Sequence, residues 1–183
     1  MAYDMKILVV VDMQNDFVTG VLGSEEAKAI VPNIKKKIEE KAKTHDYIIF
    51  FTKDTHNKNY LNTEEGKHLP IPHCYINTPG WCIVPELYEL SERNKIVEKQ
   101  TFGYNKWDET IKETLNYRYS WSFTNITEIE IVGVCTDFCV LANAFALKAI
   151  YPNIPITIDA ACCAGSTPEM HEKALDKIGR AHV

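Results

Sequence analysis

Five short apolar runs recur along the chain, with helical or polar stretches between them. The runs do not alternate between apolar and polar residues, which is typical of strands buried on both faces of a parallel sheet. The predicted strands are Lys6–Val11, Tyr47–Thr52, Lys95–Glu98, Ile129–Gly133 and Ile154–Ile158.

Helical patterns occupy most of the intervals, and Pro32 is interpreted as the first residue of the first helix. The predicted helices are Pro32–Lys43, Asp108–Leu115, Phe138–Ala149 and, after a capping Thr167, Pro168–Ile178. The alternation predicts a three-layer α/β/α fold, in which helices cover both faces of a mainly parallel sheet. A loop-like segment from Thr55 to about Pro85 is long enough to suggest a functional role.

Reactive groups follow four of the predicted strands: Asp12, the Asp54/His56 pair, Lys99 and the Gly133–Cys139 turn. Ligands bind at the carboxyl ends of the strands in such sheets. Unrelated surface residues have no reason to gather there, so we expect a site at this edge.

Composition narrows the class of protein. The chain has 183 residues, 45% of them hydrophobic and 25% charged, which suits one globular domain. The net charge of −5, with no basic block, argues against nucleic acid as a partner. The Ile7–Val11 run is too short for a membrane span or a secretory signal, so a cytoplasmic location is expected. The six cysteines lack zinc-type spacing and are expected as free thiols.

Cys139 is the candidate nucleophile, because a thiol at a helix start gains thiolate character from the helix dipole. A buried structural cysteine is the alternative, and Cys135 is a rival for the role. Asp12 is a candidate general base, or else a loop acid that braces the next segment. Lys99 could stabilise the thiolate, or could be a solvated lysine.

Asp54, His56 and His73, with a carboxylate from Glu64 or Glu65, offer ligands that suit Zn, Fe or Mn. Ordinary surface residues are the alternative for this set. Aromatic residues that could wall a pocket, or simply pack, are Phe17, Trp81, Phe102, Tyr104 and Trp107.

Three motifs together resemble the nicotinamidase–isochorismatase superfamily of cysteine hydrolases, whose isochorismatase-like fold is Rossmann-like. They are Val11–Phe17, Glu98–Phe102 and Gly133–Val140, and the resemblance spans Lys6 to about Lys177. It implies that Asp12, Lys99 and Cys139 are catalytic and that backbone N–H groups of Cys135 and Cys139 form an oxyanion hole. It also implies a cis peptide bond before Cys135.

The resemblance is closest to the nicotinamidase (pyrazinamidase) branch, because isochorismatases generally lack the metal ligands. It implies a divalent metal (Zn, Fe or Mn) on Asp54, His56 and His73, with Glu65 as the fourth ligand and Glu64 as a fallback. Where nicotinamidases often carry a stacking aromatic residue, this chain has Pro70. Phe17, Phe102 or Tyr104 would then contact the substrate.

The expected activity is hydrolysis of nicotinamide to nicotinate and ammonia through a cysteine acyl-enzyme. Another small amide, a ureido compound or isochorismate is the alternative substrate, and a non-catalytic binding module is a further one. The resemblance suggests a homo-oligomer. Residues 1–177 are predicted to form one hydrolase domain. Residues 178–183 resemble a translated sequencing adapter and are predicted to be a non-native tail.

Overall fold

One parallel sheet organises the molecule. The structure is a computed structural model that describes residues 3–118 and 124–180. Its described strands are β1 (Tyr3–Val11), β2 (Tyr47–Asp54), β3 (Lys95–Lys99), β4 (Thr124–Val134) and β5 (Ile156–Ala164). They pair in the order β3-β2-β1-β4-β5, and every pairing is parallel. The predicted parallel sheet is confirmed.

Seven α-helices flank this sheet in the described part of the chain. They are α1 (Asn15–Val18), α2 (Glu25–Lys41), α3 (Glu64–His68), α4 (Pro85–Glu92), α5 (Trp107–Arg118), α6 (Leu141–Ile150) and α7 (Pro168–Arg180). Helices α1, α2 and α4 pack on one face of the sheet, whereas α5 and α6 pack on the other. The fold therefore has the three predicted layers. No described helix has both the length and the apolar character needed to cross a membrane.

The central strand explains the uninterrupted apolar runs. Leu8 and Val10 of β1 belong to one core, and Ile7, Val9 and Val11 belong to the other. All five side chains are fully buried. Because both faces of β1 are covered by helices, no polar position can alternate with the apolar ones.

The chain reverses its winding at β1, which pairs with β2 on one side and with β4 on the other. At the carboxyl end Val11 lies opposite Gly133, whose φ is +118°. A Cβ atom at Gly133 would collide with the Val11 carbonyl oxygen. Glycine therefore allows the two strands to close just before Asp12 and the Cys135–Cys139 turn.

Several helices differ from their predictions. Helix α2 begins at Glu25, not at Pro32, because Ser24 caps it by accepting a hydrogen bond from the Ala27 N–H at 3.0 Å. Pro32 lies inside the helix. Helix α3 lies inside the predicted loop-like segment, and helix α4 begins where that segment ends; neither helix was predicted.

At the end of the chain, strand β5 is longer than predicted and includes Cys162 and Cys163. Thr167 caps α7 as expected, accepting from the Met170 N–H at 3.1 Å. In the predicted tail, residues 178–180 continue α7, and residues 181–183 lie outside the described part.

Candidate active site

The turn after β4 carries the candidate nucleophile. A cis peptide bond joins Val134 to Cys135, as the resemblance implied. A π-helical turn over Thr136–Val140 follows, and α6 begins only after it. The predicted helix start at Phe138 is therefore corrected: Cys139 lies in the π-helical turn. The Cys135 carbonyl accepts from the N–H groups of Phe138 and Val140, at 3.1 and 3.0 Å.

Asp12, Lys99 and Cys139 meet at the carboxyl edge of the sheet. The Lys99 ammonium nitrogen lies 2.6 Å from Asp12 Oδ2 and 3.6 Å from Cys139 Sγ. All three residues are buried. The structure thus brings together the three residues that the sequence singled out as catalytic, although they come from distant parts of the chain.

Thr52 of β2 holds the Asp12 carboxylate, a role that no motif in the sequence indicates. The Thr52 hydroxyl donates to Asp12 Oδ1 at 2.6 Å, and its oxygen accepts from the Asp12 N–H at 3.1 Å. Asp12 has a φ of +49°, in the left-handed region that residues other than glycine rarely adopt. The two hydrogen bonds help to fix this conformation and leave Oδ2 to Lys99.

The electrostatics of this group differ from the expectation that a helix start lowers the pKa of the Cys139 thiol. Burial raises the pKa of Cys139 well above its ordinary value, and Lys99 opposes the rise. Burial likewise raises the pKa of Asp12 against the lowering effect of Lys99. Burial lowers the pKa of Lys99, but Asp12, Cys139 and Asp54 outweigh burial and raise it. Lys99 therefore remains a fixed cation beside two groups that can each hold the proton.

A second cluster lies beside the first. One ligand atom from each of Asp54, His56, Glu65 and His73 lies within 4.8 Å of all the others. Asp54 Oδ2 lies 2.9 Å from His56 Nε2 and 3.4 Å from His73 Nε2. Glu65 Oε1 lies 3.6 Å from His56 Nε2. Glu64 is exposed and paired with Lys67, so the structure brings Glu65, and not Glu64, into the cluster.

These side chains fit a divalent cation. Glu65 Oε1 is buried and has no hydrogen-bond partner among the described residues. His73 Nδ1–H donates to the Ile71 carbonyl at 2.8 Å, which leaves Nε2 as a free ligand atom facing the cluster. Burial raises the pKa of Asp54, but His56, His73 and Lys99 hold it well below its ordinary value. Two carboxylates and two imidazoles form a ligand set that suits Zn, Fe or Mn.

Two residues that the sequence did not single out hold this cluster. Gln14 accepts from the Asp54 N–H at 2.7 Å and donates to the Asp54 carbonyl at 2.8 Å. The Tyr60 ring packs against both imidazoles, with centroids 4.4 Å from His56 and 4.9 Å from His73. Gln14 lies inside the motif that begins at Val11, so its position was a usable signal, whereas Tyr60 begins a short 3-10 helix, Tyr60–Asn62, inside the loop-like segment.

A cavity of about 620 Å³ opens over both clusters. Its lining residues are Phe17, Leu22, Asp54, Glu64, Glu65, His68, Leu69, His73, Phe102, Cys135, Phe138, Cys139 and Ser166. Phe17 and Phe102 thus line the cavity as expected from the sequence. The Phe102 and Phe138 rings lie 5.4 Å apart at one side of it.

Tyr104, expected to contact the substrate, is not among the residues that line this cavity. Its ring packs edge-on against Trp107 at 5.1 Å, and its hydroxyl lies 2.9 Å from Thr110 Oγ1. Trp107 is fully buried in the core. Trp81 binds Thr55 through its indole N–H at 2.8 Å and is also absent from the lining.

Comparison with known families agrees with this geometry. The model of the Isochorismatase domain matches residues 6–182. The chain belongs to the isochorismatase family. Its curated relatives include the nicotinamidase of Schizosaccharomyces pombe, 29% identical over 204 residues that cover 96% of this chain and 90% of the relative. The nicotinamidase/pyrazinamidase of Mycobacterium tuberculosis is 29% identical over 188 residues, covering 98% and 97%.

Solved structures give the same result. The nicotinamidase of Bacillus subtilis superposes with a TM-score of 0.78 at 26% identity, covering 96% of this chain and 95% of that one. The pyrazinamidase of Pyrococcus horikoshii, solved in complex with zinc, gives a TM-score of 0.75 at 26% identity, covering 97% and 96%. These similarities extend over nearly the whole of each chain.

Proposed function

We propose that the protein is a nicotinamidase-type amidohydrolase, which converts nicotinamide and water to nicotinate and ammonia. One observation carries the proposal: Lys99 lies between the thiol and both carboxylates, 2.6 Å from Asp12 and 3.5 Å from Asp54. It therefore links a thiol–carboxylate pair to a candidate metal site in one cavity. The activities named for the relatives support a small amide as the substrate.

The chemistry follows from the positions of the side chains. Asp12 takes the proton of the Cys139 thiol, and the thiolate attacks the amide carbonyl carbon. Backbone N–H groups of Cys135 and Cys139 are proposed to hold the resulting oxyanion. As the C–N bond breaks, Asp12 returns the proton to the leaving ammonia, and a thioester remains on Cys139. Asp12 then takes a proton from the water that attacks the thioester carbonyl; the C–S bond breaks, nicotinate leaves, and Asp12 returns the proton to the Cys139 sulfur, while Lys99 stabilises the anionic groups.

Asp54, His56, Glu65 and His73 would hold a divalent metal ion, and the zinc complex of the Pyrococcus relative favours zinc. When bound, such an ion would polarise the ring nitrogen of the substrate as a Lewis acid. Asp54, Glu65 and His73 line the cavity that also contains Cys139, so these ligands can face the same small molecule.

Substitution of the nucleophile tests the proposal. Cys139→Ala should lower ammonia release from nicotinamide by at least about 10⁴-fold, as expected when a covalent nucleophile is lost. Cys82→Ala is a matched control, because Cys82 is a half-buried thiol outside the cavity lining, and it should retain activity. Full turnover by Cys139→Ala would contradict the mechanism.

Pro70 favours a second candidate, a related hydrolase for another small amide or for a ureido compound. A stacking aromatic residue at that position would favour a pyridine ring, and this chain lacks one. A panel of nicotinamide, pyrazinamide, a ureido compound and isochorismate, each with and without chelator, separates the candidates. If isochorismate were hydrolysed at the same rate with and without chelator, the metal-assisted amidase would be excluded.

Three further expectations from the sequence remain predictions. Cell fractionation tests the cytoplasmic location, and size-exclusion chromatography with light scattering tests the homo-oligomer. Resequencing of the source DNA beyond codon 177 tests whether residues 178–183 are native.

A further inference from the structure

A single buried amide joins the nucleophile turn to the loop that follows Lys99. Asn143 of α6 is fully buried. Its Nδ2 donates to the Cys139 carbonyl at 2.8 Å and to the Phe102 carbonyl at 3.2 Å. Its Oδ1 accepts from the Tyr104 N–H at 3.0 Å and from the Trp107 indole N–H at 2.8 Å. The side chain therefore uses both donors and two acceptor positions, which is its full capacity.

The topology explains why such a bridge matters. Lys99 ends β3 at one edge of the sheet, and Cys139 follows β4, with β2 and β1 between them. No backbone ladder therefore joins the two segments directly. Their contact, 3.6 Å between Lys99 Nζ and Cys139 Sγ, needs another link to keep it constant. The Asn143 amide provides that link, three residues beyond Lys99 on one side and at the Cys139 carbonyl on the other.

We propose that Asn143 is a positioning residue that holds the Cys139 turn against the loop at residues 102–104, and so sets the reactivity of the thiol. This inference rests on the proposed role of Cys139. A residue that only packs in the core and satisfies its hydrogen bonds would affect stability alone. If Asn143 positions the thiol, loss of its two donor bonds should change the reactivity of the thiol even when the fold is retained.

Asn143→Asp keeps the shape and both acceptor bonds while removing the two amide donors, and Asn143→Leu, which removes the same donors without adding a charge, separates their loss from the effect of a new carboxylate on the thiol. We expect a kcat that is about 10- to 100-fold lower, since small displacements of a reacting group have effects of this size, with KM changed much less. We expect alkylation of Cys139 by iodoacetamide, localised by tandem mass spectrometry, to slow in parallel.

A matched control separates positioning from stability. Ile111→Val removes one methylene group from the same core, without a change in hydrogen bonding, and should lower thermal stability while kcat and the alkylation rate stay at wild-type values. Gly103→Ala perturbs the contact between Asn143 and the loop at residues 102–104 from the loop side. Its Cβ would lie 3.3 Å from the Ala142 carbonyl oxygen, so the loop must shift slightly. We expect a smaller change in the same direction.

The alkylation measurement needs no substrate, so it remains informative even if nicotinamide is not hydrolysed. Slower alkylation in Asn143→Asp and Gly103→Ala, but not in Ile111→Val, supports the proposal. If Asn143→Asp fails to fold, Gly103→Ala alone decides it. Wild-type alkylation and kcat in the folded variants, or equal slowing in Ile111→Val, would overturn it.

Discussion

The two halves of the site are built differently. In the thiol half (Asp12, Lys99 and Cys139), Asp12 directly follows β1, Lys99 is the last residue of β3, and Cys139 lies in the turn after β4. In the metal half (Asp54, His56, Glu65 and His73), only Asp54 lies on a strand. Glu65 lies on the five-residue helix α3, and both histidines lie in irregular segments.

The difference concerns what each half needs in order to be stable. The thiol half contains its own cation, so the charges of Asp12 and Lys99 offset each other at 2.6 Å. The metal half contains two carboxylates and a buried Glu65 oxygen without a partner among the described residues. We infer that the sheet preforms the thiol half, whereas the metal half reaches full stability only with a bound cation.

Removal of the shared cation should have the largest effect. Lys99→Met leaves Asp12 and Asp54 buried without their common partner, so the free energy of unfolding should fall by about 3–5 kcal/mol. The kcat should fall by about 10²–10³-fold or more, because a buried charge beside the reacting thiol is lost. Urea titration and ammonia release measure the two effects.

Lys173→Met is the control, since it breaks an exposed pair with Glu169 that is worth about 0.3–0.5 kcal/mol. If the two variants were equally stable, the thiol half would not depend on its internal cation.

Two neighbouring glutamates test the metal half. Glu65→Gln removes a ligand charge from the cluster. Loss of a residue that only orients a metal ligand typically lowers metal affinity about 10- to 100-fold, and we expect the loss of a ligand itself to lower zinc affinity by more than that. Glu64→Gln changes the adjacent, exposed residue and should leave affinity unchanged. Competition with a chromophoric chelator measures both. Saturating zinc at 100 times its dissociation constant should also add about 2.7 kcal/mol of stability to the wild type. Equal affinities in the two variants would exclude Glu65 as a ligand.

The smallest effect is expected at Thr52. Thr52→Val keeps the side-chain shape but removes both hydrogen bonds to Asp12, so we expect a loss of about 1.5–3 kcal/mol and a modest fall in kcat. Thr114→Val removes a hydroxyl that donates to the Thr110 carbonyl at 2.8 Å within α5, and it should cost less. A drop in stability without any change in kcat would mean that Thr52 supports the fold and not the orientation of Asp12.

The thiol half was predictable from the sequence because parallel strands deliver their carboxyl ends to one edge. Asp12 and Lys99 each follow a predicted apolar strand in the sequence, and Cys139 lies in the turn that follows a third one. The residue types and the strand order predicted that these groups gather at one edge, and the distances in the structure agree; the preference for Cys139 over Cys135 rested on a helix start that the structure moves to Leu141 and on the family resemblance.

Other features depend on contacts between distant residues. Pro32 suggested a helix start, but the Ser24 cap and the packing of α2 on the sheet extend the helix in front of it. An aromatic residue in a loop, such as Tyr104, can line a cavity or pack against the core, and only the contacts in the structure show that its ring packs against Trp107. Glu65 and Glu64 differ in exposure only because α3 presents one of them to the histidines.

Gly133 has a consequence for protein engineering. Its missing side chain lets β1 and β4 approach at the point where Asp12 and the Cys135–Cys139 turn begin. A saturation library at this position should therefore yield active clones that encode almost only glycine. Anyone who transplants this active site onto another parallel sheet must transfer that glycine with the acid and the thiol, although it takes no part in the chemistry.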